Sequence, residues 1–354
     1  MSVATDRSAA RRTREPGTPP RSLVALASAA LVAGTGLAIW VLPAETGGWA
    51  RAGQAPHVRV GPPHLATRPA ADQAPPSPAG VRPSGFVTFV DTVHDPLYNL
   101  TRAARRNNVR WFTLGHLTAG QHDCTPEWGG GQEQDGNPVA GRLGRLRAAG
   151  GDAGLAFGGP AGRELAAACT DLGRLTAAYR RTVGAFGATY IDFEVQDPGD
   201  DGAVLRRAGA ITALQREAAA RGRPLTVSFT LPATGTGLAP GDEAMLRSTR
   251  QAGAEITAVN LLTPIRRAPS GRADLRSVAS AVRAAHAQVA RSLGAPTAWH
   301  RIALTPVLAG SGDLTTTDAR KLVAFTVRNG LAWLSTRGAA PTPDVARLLA
   351  AIAR

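Results

Sequence analysis

From Gly85 onward, short apolar runs alternate eight times with longer stretches of helical period. The apolar runs are Phe86–Val90, Arg110–Leu114, Gly154–Phe157, Thr189–Glu194, Leu225–Phe229, Ile256–Leu261, Ile302–Thr305 and Leu331–Leu334. The helical stretches between and after them are Leu97–Arg106, Pro138–Ala149, Arg163–Phe186, Ala203–Arg221, Gly241–Ala252, Leu275–Ser292, Thr316–Arg328 and Pro343–Ala353. Strands that alternate with helices pair in parallel. Eight such units in about 270 residues predict a closed (β/α)8 barrel, also called a TIM barrel, which typically takes about 250 residues. The rival is an open, doubly wound sheet, but no G-x-G-x-x-G follows the first strand. In a barrel, chemistry gathers at the C-terminal ends of the strands.

The 84 residues before the barrel read differently. Residues 1–21 form a polar tail with five arginines, expected to stay cytoplasmic. Leu23–Leu42 then runs 20 residues without a charge. As a helix, that run would span about 30 Å, the thickness of a bilayer core. Segment 22–43 is therefore expected to be a transmembrane anchor or, alternatively, a cleaved signal sequence. Either way the barrel, residues 85–354, is placed outside the cytoplasm, because basic flanks stay inside. It is then membrane-bound or, after cleavage, secreted. Residues 44–84, rich in Pro and Ala, read as a linker.

The net charge of +14 comes from 40 basic and 26 acidic residues. Its arginines are scattered singly and in pairs, not in dense runs or along one helix, and aromatics are only 5%. That pattern argues against nucleic acid as a partner. Two cysteines, Cys124 and Cys169, are expected to form one disulfide in an exported domain; two buried thiols are the alternative.

The fourth apolar run carries the informative residues. Asp192, Glu194 and Gln196 lie two apart, so on a strand they share one face. Phe193 and Val195 take the other face. The polar set points into the barrel and climbs toward its C-terminal mouth. Two carboxylates in a barrel interior are costly unless paired or used.

This strand resembles the catalytic strand of glycoside hydrolase family 18, the chitinases, whose pattern is Asp-x-Asp-x-Glu. Other stretches are similar to the actinobacterial branch of that family. They are Phe112-Thr113-Leu114, Cys124 to Gly130, Ala148 to Asp152, Phe157-Gly158-Gly159, Glu164-Leu165, Ser228 to Pro232, Val259-Asn260 and Trp333-Leu334-Ser335. The resemblance implies a (β/α)8 barrel that needs no cofactor and no metal. It implies a monomer acting on polymers that contain N-acetylglucosamine, such as chitin or peptidoglycan. The substrate's own N-acetyl group attacks the anomeric carbon, a departure from the two-carboxylate scheme.

Carried over by position, Asp192 matches the first Asp, Glu194 replaces the middle Asp, and Gln196 stands where the family has its general acid. An amide cannot donate a proton near neutral pH, and positioned acid catalysis is worth roughly 10²–10⁴ in rate. Substrate-binding positions fall on Phe89, Trp128, Trp333 and Arg337. The family's Tyr after the sixth strand is missing from Leu261 to Ile265. Arg337 stands where the family usually places a Trp. The resemblance thus implies a catalytically impaired or inactive domain that still binds glycan or a protein partner. The alternatives are an active hydrolase using another acid (Asp197, Asp200 or Asp201) and a protein-interaction scaffold.

Two other groups stand out. His116, His122, Asp123 and Glu127 crowd one loop but match no familiar metal-ligand spacing. Arg266-Arg267 is read as a solvated pair rather than an anion site.

Overall fold

The computed structural model describes residues 82–134, 136–268, 271–294 and 299–352. The expected tail and anchor or leader, and the linker up to residue 81, lie outside them. Among the described residues no helix is long and apolar enough to cross a membrane.

The elements run in chain order β1 (Gly85–Asp91), α1 (Leu100–Asn107), β2 (Trp111–Ala119), β3 (Pro126–Trp128), α2 (Leu143–Ala148), β4 (Asp152–Gly158), α3 (Leu165–Ala168), α4 (Leu172–Phe186), β5 (Tyr190–Glu194) and α5 (Asp201–Ala220). They continue as β6 (Thr226–Pro232), α6 (Pro240–Gln251), β7 (Ala258–Pro264), α7 (Leu275–Leu293), β8 (Ile302–Leu308), α8 (Thr316–Asn329), β9 (Trp333–Leu334), β10 (Arg337–Gly338) and α9 (Pro343–Ala350).

Strands β1, β2, β4, β5, β6, β7, β8 and β9 pair in parallel in that order, and β9 returns to β1 through Gly85↔Trp333 and Phe86↔Leu334. The sheet therefore closes into a (β/α)8 barrel, as the eightfold repeat predicts. Closure removes the exposed edges that an open sheet would leave. Two short strands were not expected. β3 folds back antiparallel on β2, and β10 adds to the end of β8.

Helix boundaries follow local chemistry. Asn99, Asp171, Asp200 and Asp274 each accept a hydrogen bond from a backbone N–H in the first turn of the helix they start. Thr315 and Asp318 form a capping box. The single helix expected over 163–186 is two, because Asp171 caps a new start by accepting from the Arg174 N–H at 2.7 Å.

Inside the barrel, alternation sorts the residues into layers. Val87, Trp111, Tyr190, Ala258, Ala303 and Trp333 form an apolar floor. Outside it, Phe157, Phe193 and Phe229 stack beneath α4 and α5, with ring centroids 5.5–5.7 Å apart. The disulfide Cys124–Cys169 forms, tying the β2–β3 turn to the end of α3.

Candidate active site at the barrel mouth

Strand β5 behaves as its pattern predicts. Phe193 packs outward, while Asp192 and Glu194 turn inward, 2% and 5% exposed. Asp192 sits where two hydrogen-bond chains end. Ser228 Oγ donates to one carboxylate oxygen, and Thr230 Oγ1 donates to the other at 2.7 Å. Because the Ser228 proton is committed to Asp192, Tyr190 must donate its phenolic proton to Ser228 Oγ, 2.9 Å away. On the other flank, Thr305 donates to Asn260 at 2.7 Å and Asn260 donates to Thr230 at 3.0 Å. Burial pushes the Asp192 carboxyl up to about 6, and the Ser228 and Thr230 hydrogen bonds hold it from rising further.

One pleat higher, Glu194 meets two groups from distant parts of the chain. Arg337 Nη2 donates to Glu194 Oε2 at 2.9 Å, and His116 Nε2 lies 3.0 Å from the same oxygen. Burial alone would raise the Glu194 carboxyl. The His116 hydrogen bond and the Arg337 charge outweigh it and hold the group below the ordinary carboxylate range. An ionised carboxylate only accepts, so His116 Nε2–H is the donor. The Arg337 guanidinium carbon also lies over Phe89, 3.3 Å from the ring centroid, and the His116 ring centroid stands 4.9 Å from that of Phe89.

His116 reaches this position through a β-bulge. Strict alternation would point it outward with Phe112 and Leu114, which lie in the outer core. Pairing of β2 with β4 slips between Leu114 and Leu117, so that Gly115 and His116 share the space opposite Ala156. The bulge turns the imidazole inward, and no period-two reading of the sequence anticipates that. Gly159 makes room for it: with φ of 100°, a Cβ there would lie 2.4 Å from the His116 ring.

The other expected site residues are placed as follows. Gln196 is exposed, just past the end of β5. Phe89 and Arg337 are at the mouth. Trp128 is corrected to a packing position. Trp128 is 1% exposed, with its indole against Phe186. Trp333, 3% exposed, belongs to the barrel floor and stacks edge-on against Tyr190. Trp128 offers no free face to a ligand, whereas Trp333 also borders the small cavity beneath Arg337. Of the three alternative acids, Asp197 accepts from the Gly199 N–H and Asp200 caps α5. Asp201 is the first residue of that helix. The His-rich loop does not assemble, since His116 is inside the barrel while His122 is exposed and Asp123 pairs with Arg163 at 3.4 Å. Arg267 is tied to Asp313 at 2.9 Å.

No protein-family model matches the sequence. The chain is 28% identical over 181 residues to the probable bifunctional chitinase/lysozyme of Escherichia coli K12, covering 50% of this chain and 20% of that protein. It is 26% identical over 180 residues to endochitinase 11 of Metarhizium anisopliae, covering 50% of this chain and 34% of that one. The domain is chitinase-like. The matches to these two proteins thus cover only a fifth and a third of their lengths. The barrel also superimposes on active domain 2 of the Pyrococcus furiosus chitinase, solved as catalytic-site mutants complexed with chito-oligosaccharides. There the TM-score is 0.64 at 22% identity, over 77% of this chain and 95% of that one. A family 18 chitinase from Pseudoalteromonas aurantia gives 0.51 at 14% identity, over 76% of this chain and 99% of that one.

Proposed function

We propose that this chitinase-like domain binds N-acetylglucosamine oligosaccharides, of the chitin or peptidoglycan type, and does not hydrolyse them. Fold alone does not carry function; the proton balance at the mouth carries this reading. Cleaving a glycosidic bond by N-acetyl assistance needs an acid to protonate the leaving oxygen. Gln196 holds that position and has no acidic proton. Glu194 is held ionised by Arg337 and His116, so it is an acceptor at neutral pH, not a donor. Asp197 and Asp200 are occupied in a turn and a helix cap.

Binding without cleavage has a precedent among the similar structures, since catalytic-site mutants of the Pyrococcus furiosus domain hold chito-oligosaccharides. We further propose that segment 22–43 holds the barrel on the outer side of a membrane or exports it. Calorimetric titration of the full chain with chitohexaose tests the binding half. Saturable binding weakened by Asp192→Ala is expected, and the absence of any binding at millimolar sugar overturns it. Mass spectrometry of the mature N-terminus distinguishes anchor from cleaved leader.

A further inference from the structure

Arg337 lies across the mouth, between Glu194 and Phe89. Its backbone is fixed. β10 pairs it with Val307 of β8, Gly338 follows at a φ of 81°, and a Cβ on Gly338 would lie 2.2 Å from the Leu308 carbonyl oxygen. Only the side chain is free to turn. That side chain spans the centre of the mouth, bonded to Glu194, touching His116 Nε2 at 3.1 Å and covering the Phe89 face. Below it, the cavity bounded by Asp192, Thr230, Asn260, Trp333, Ser335 and Arg337 measures about 10 Å³. That is no more than the room one water needs. A pyranose ring cannot stack on Phe89 or reach Asp192 while Arg337 lies there.

The hold on Arg337 is also incomplete. Its Nε is buried without a hydrogen-bond partner among the described residues. A buried donor left unmade weakens the closed arrangement relative to one in which the guanidinium swings toward solvent.

We propose that Arg337 is a side-chain plug. It closes the sugar subsite in the free protein and must swing out, breaking its bond to Glu194, before an N-acetylglucosamine unit can enter. This deepens the binding reading given above and rests on it. A site that is open for a fraction f of the time binds with an apparent Kd raised by 1/f. If the plug is open a tenth of the time, removing it tightens binding about tenfold.

The test uses the full chain in mild detergent with triacetylchitotriose as probe. Arg337→Ala is expected to bind about tenfold tighter than wild type, and Glu194→Gln, which loosens the hold but leaves the guanidinium, by a smaller factor. Independently of any sugar, NMR of the arginine Nε–H groups reads the plug directly. The Arg337 Nε–H should exchange slowly in the free protein and rapidly with saturating probe. Equal affinities for wild type and Arg337→Ala overturn the plug while leaving the binding reading intact. So does an Arg337 Nε–H that exchanges as fast as those of exposed arginines. If no variant binds the probe but the Nε–H is protected, the closure stands and the binding reading falls.

Discussion

Asp192 makes the stability of this barrel depend on pH in a direction opposite to that of an ion-paired carboxylate. Its carboxyl is buried and titrates at about 6 in the fold, against 3.8 for a free Asp side chain. The folded state therefore holds a proton that the unfolded chain releases through the window between those values. Stability from this group is fully present below the unfolded value and is lost as pH rises through the folded one. Two pH units of displacement correspond to about 3 kcal/mol in full. Between about pH 4.5 and 7.5 the accessible part is about 2 kcal/mol. Glu194 and Arg337 act on the same group, so the comparison must isolate it. Urea unfolding of wild type and Asp192→Asn across that range does so, because the shared titrations cancel in the difference. The Asn variant should gain about 2 kcal/mol relative to wild type as pH rises. A difference that is flat with pH, or that falls, refutes the assignment of Asp192 as a buried, proton-retaining acid.

Three further outcomes follow from the packing. Glu164→Gln removes the partner of Arg207, which is wholly buried and 2.5 Å from it. Stranding that charge should cost about 3–5 kcal/mol, read by urea unfolding. Replacing both Cys124 and Cys169 with Ser opens a loop whose ends lie 45 residues apart. Chain entropy puts the loss at up to about 4 kcal/mol, seen as a lower denaturant midpoint. Gly159→Ala should lower the thermal midpoint and shift the His116 ring signals, because its Cβ has no room beside the imidazole and a left-handed backbone costs about 1–3 kcal/mol.

The barrel was legible because each strand shows two faces to two different media, and helices of fitting length separate them. The alternation of Asp192, Phe193 and Glu194 placed both carboxylates correctly for the same reason. What sequence pattern missed lies where period two breaks or where depth matters. His116 is turned inward by the bulge at Gly115–His116, a slip in pairing with no one-residue signature. Trp333 occupies its strand as expected, but a pattern that says which face a residue takes does not say how far along the barrel axis it sits; Trp128 lies on β3, a three-residue strand with no periodic signal. Arg337 was placed at the mouth. Its capture of Glu194 depends on β10, a strand of two residues with no periodic signal of its own.

We propose that no acid reaches the glycosidic oxygen at this mouth, since Gln196 is an amide, Glu194 is held ionised, and the Asp192 carboxyl lies one pleat deeper and is 2% exposed. Turnover of a chromogenic chitooligosaccharide by the full chain, followed from about pH 4 to 8, tests it most directly. The expected result is no release of chromophore above that of Glu194→Gln at any pH. Release that depends on enzyme concentration and disappears in Glu194→Gln would contradict it.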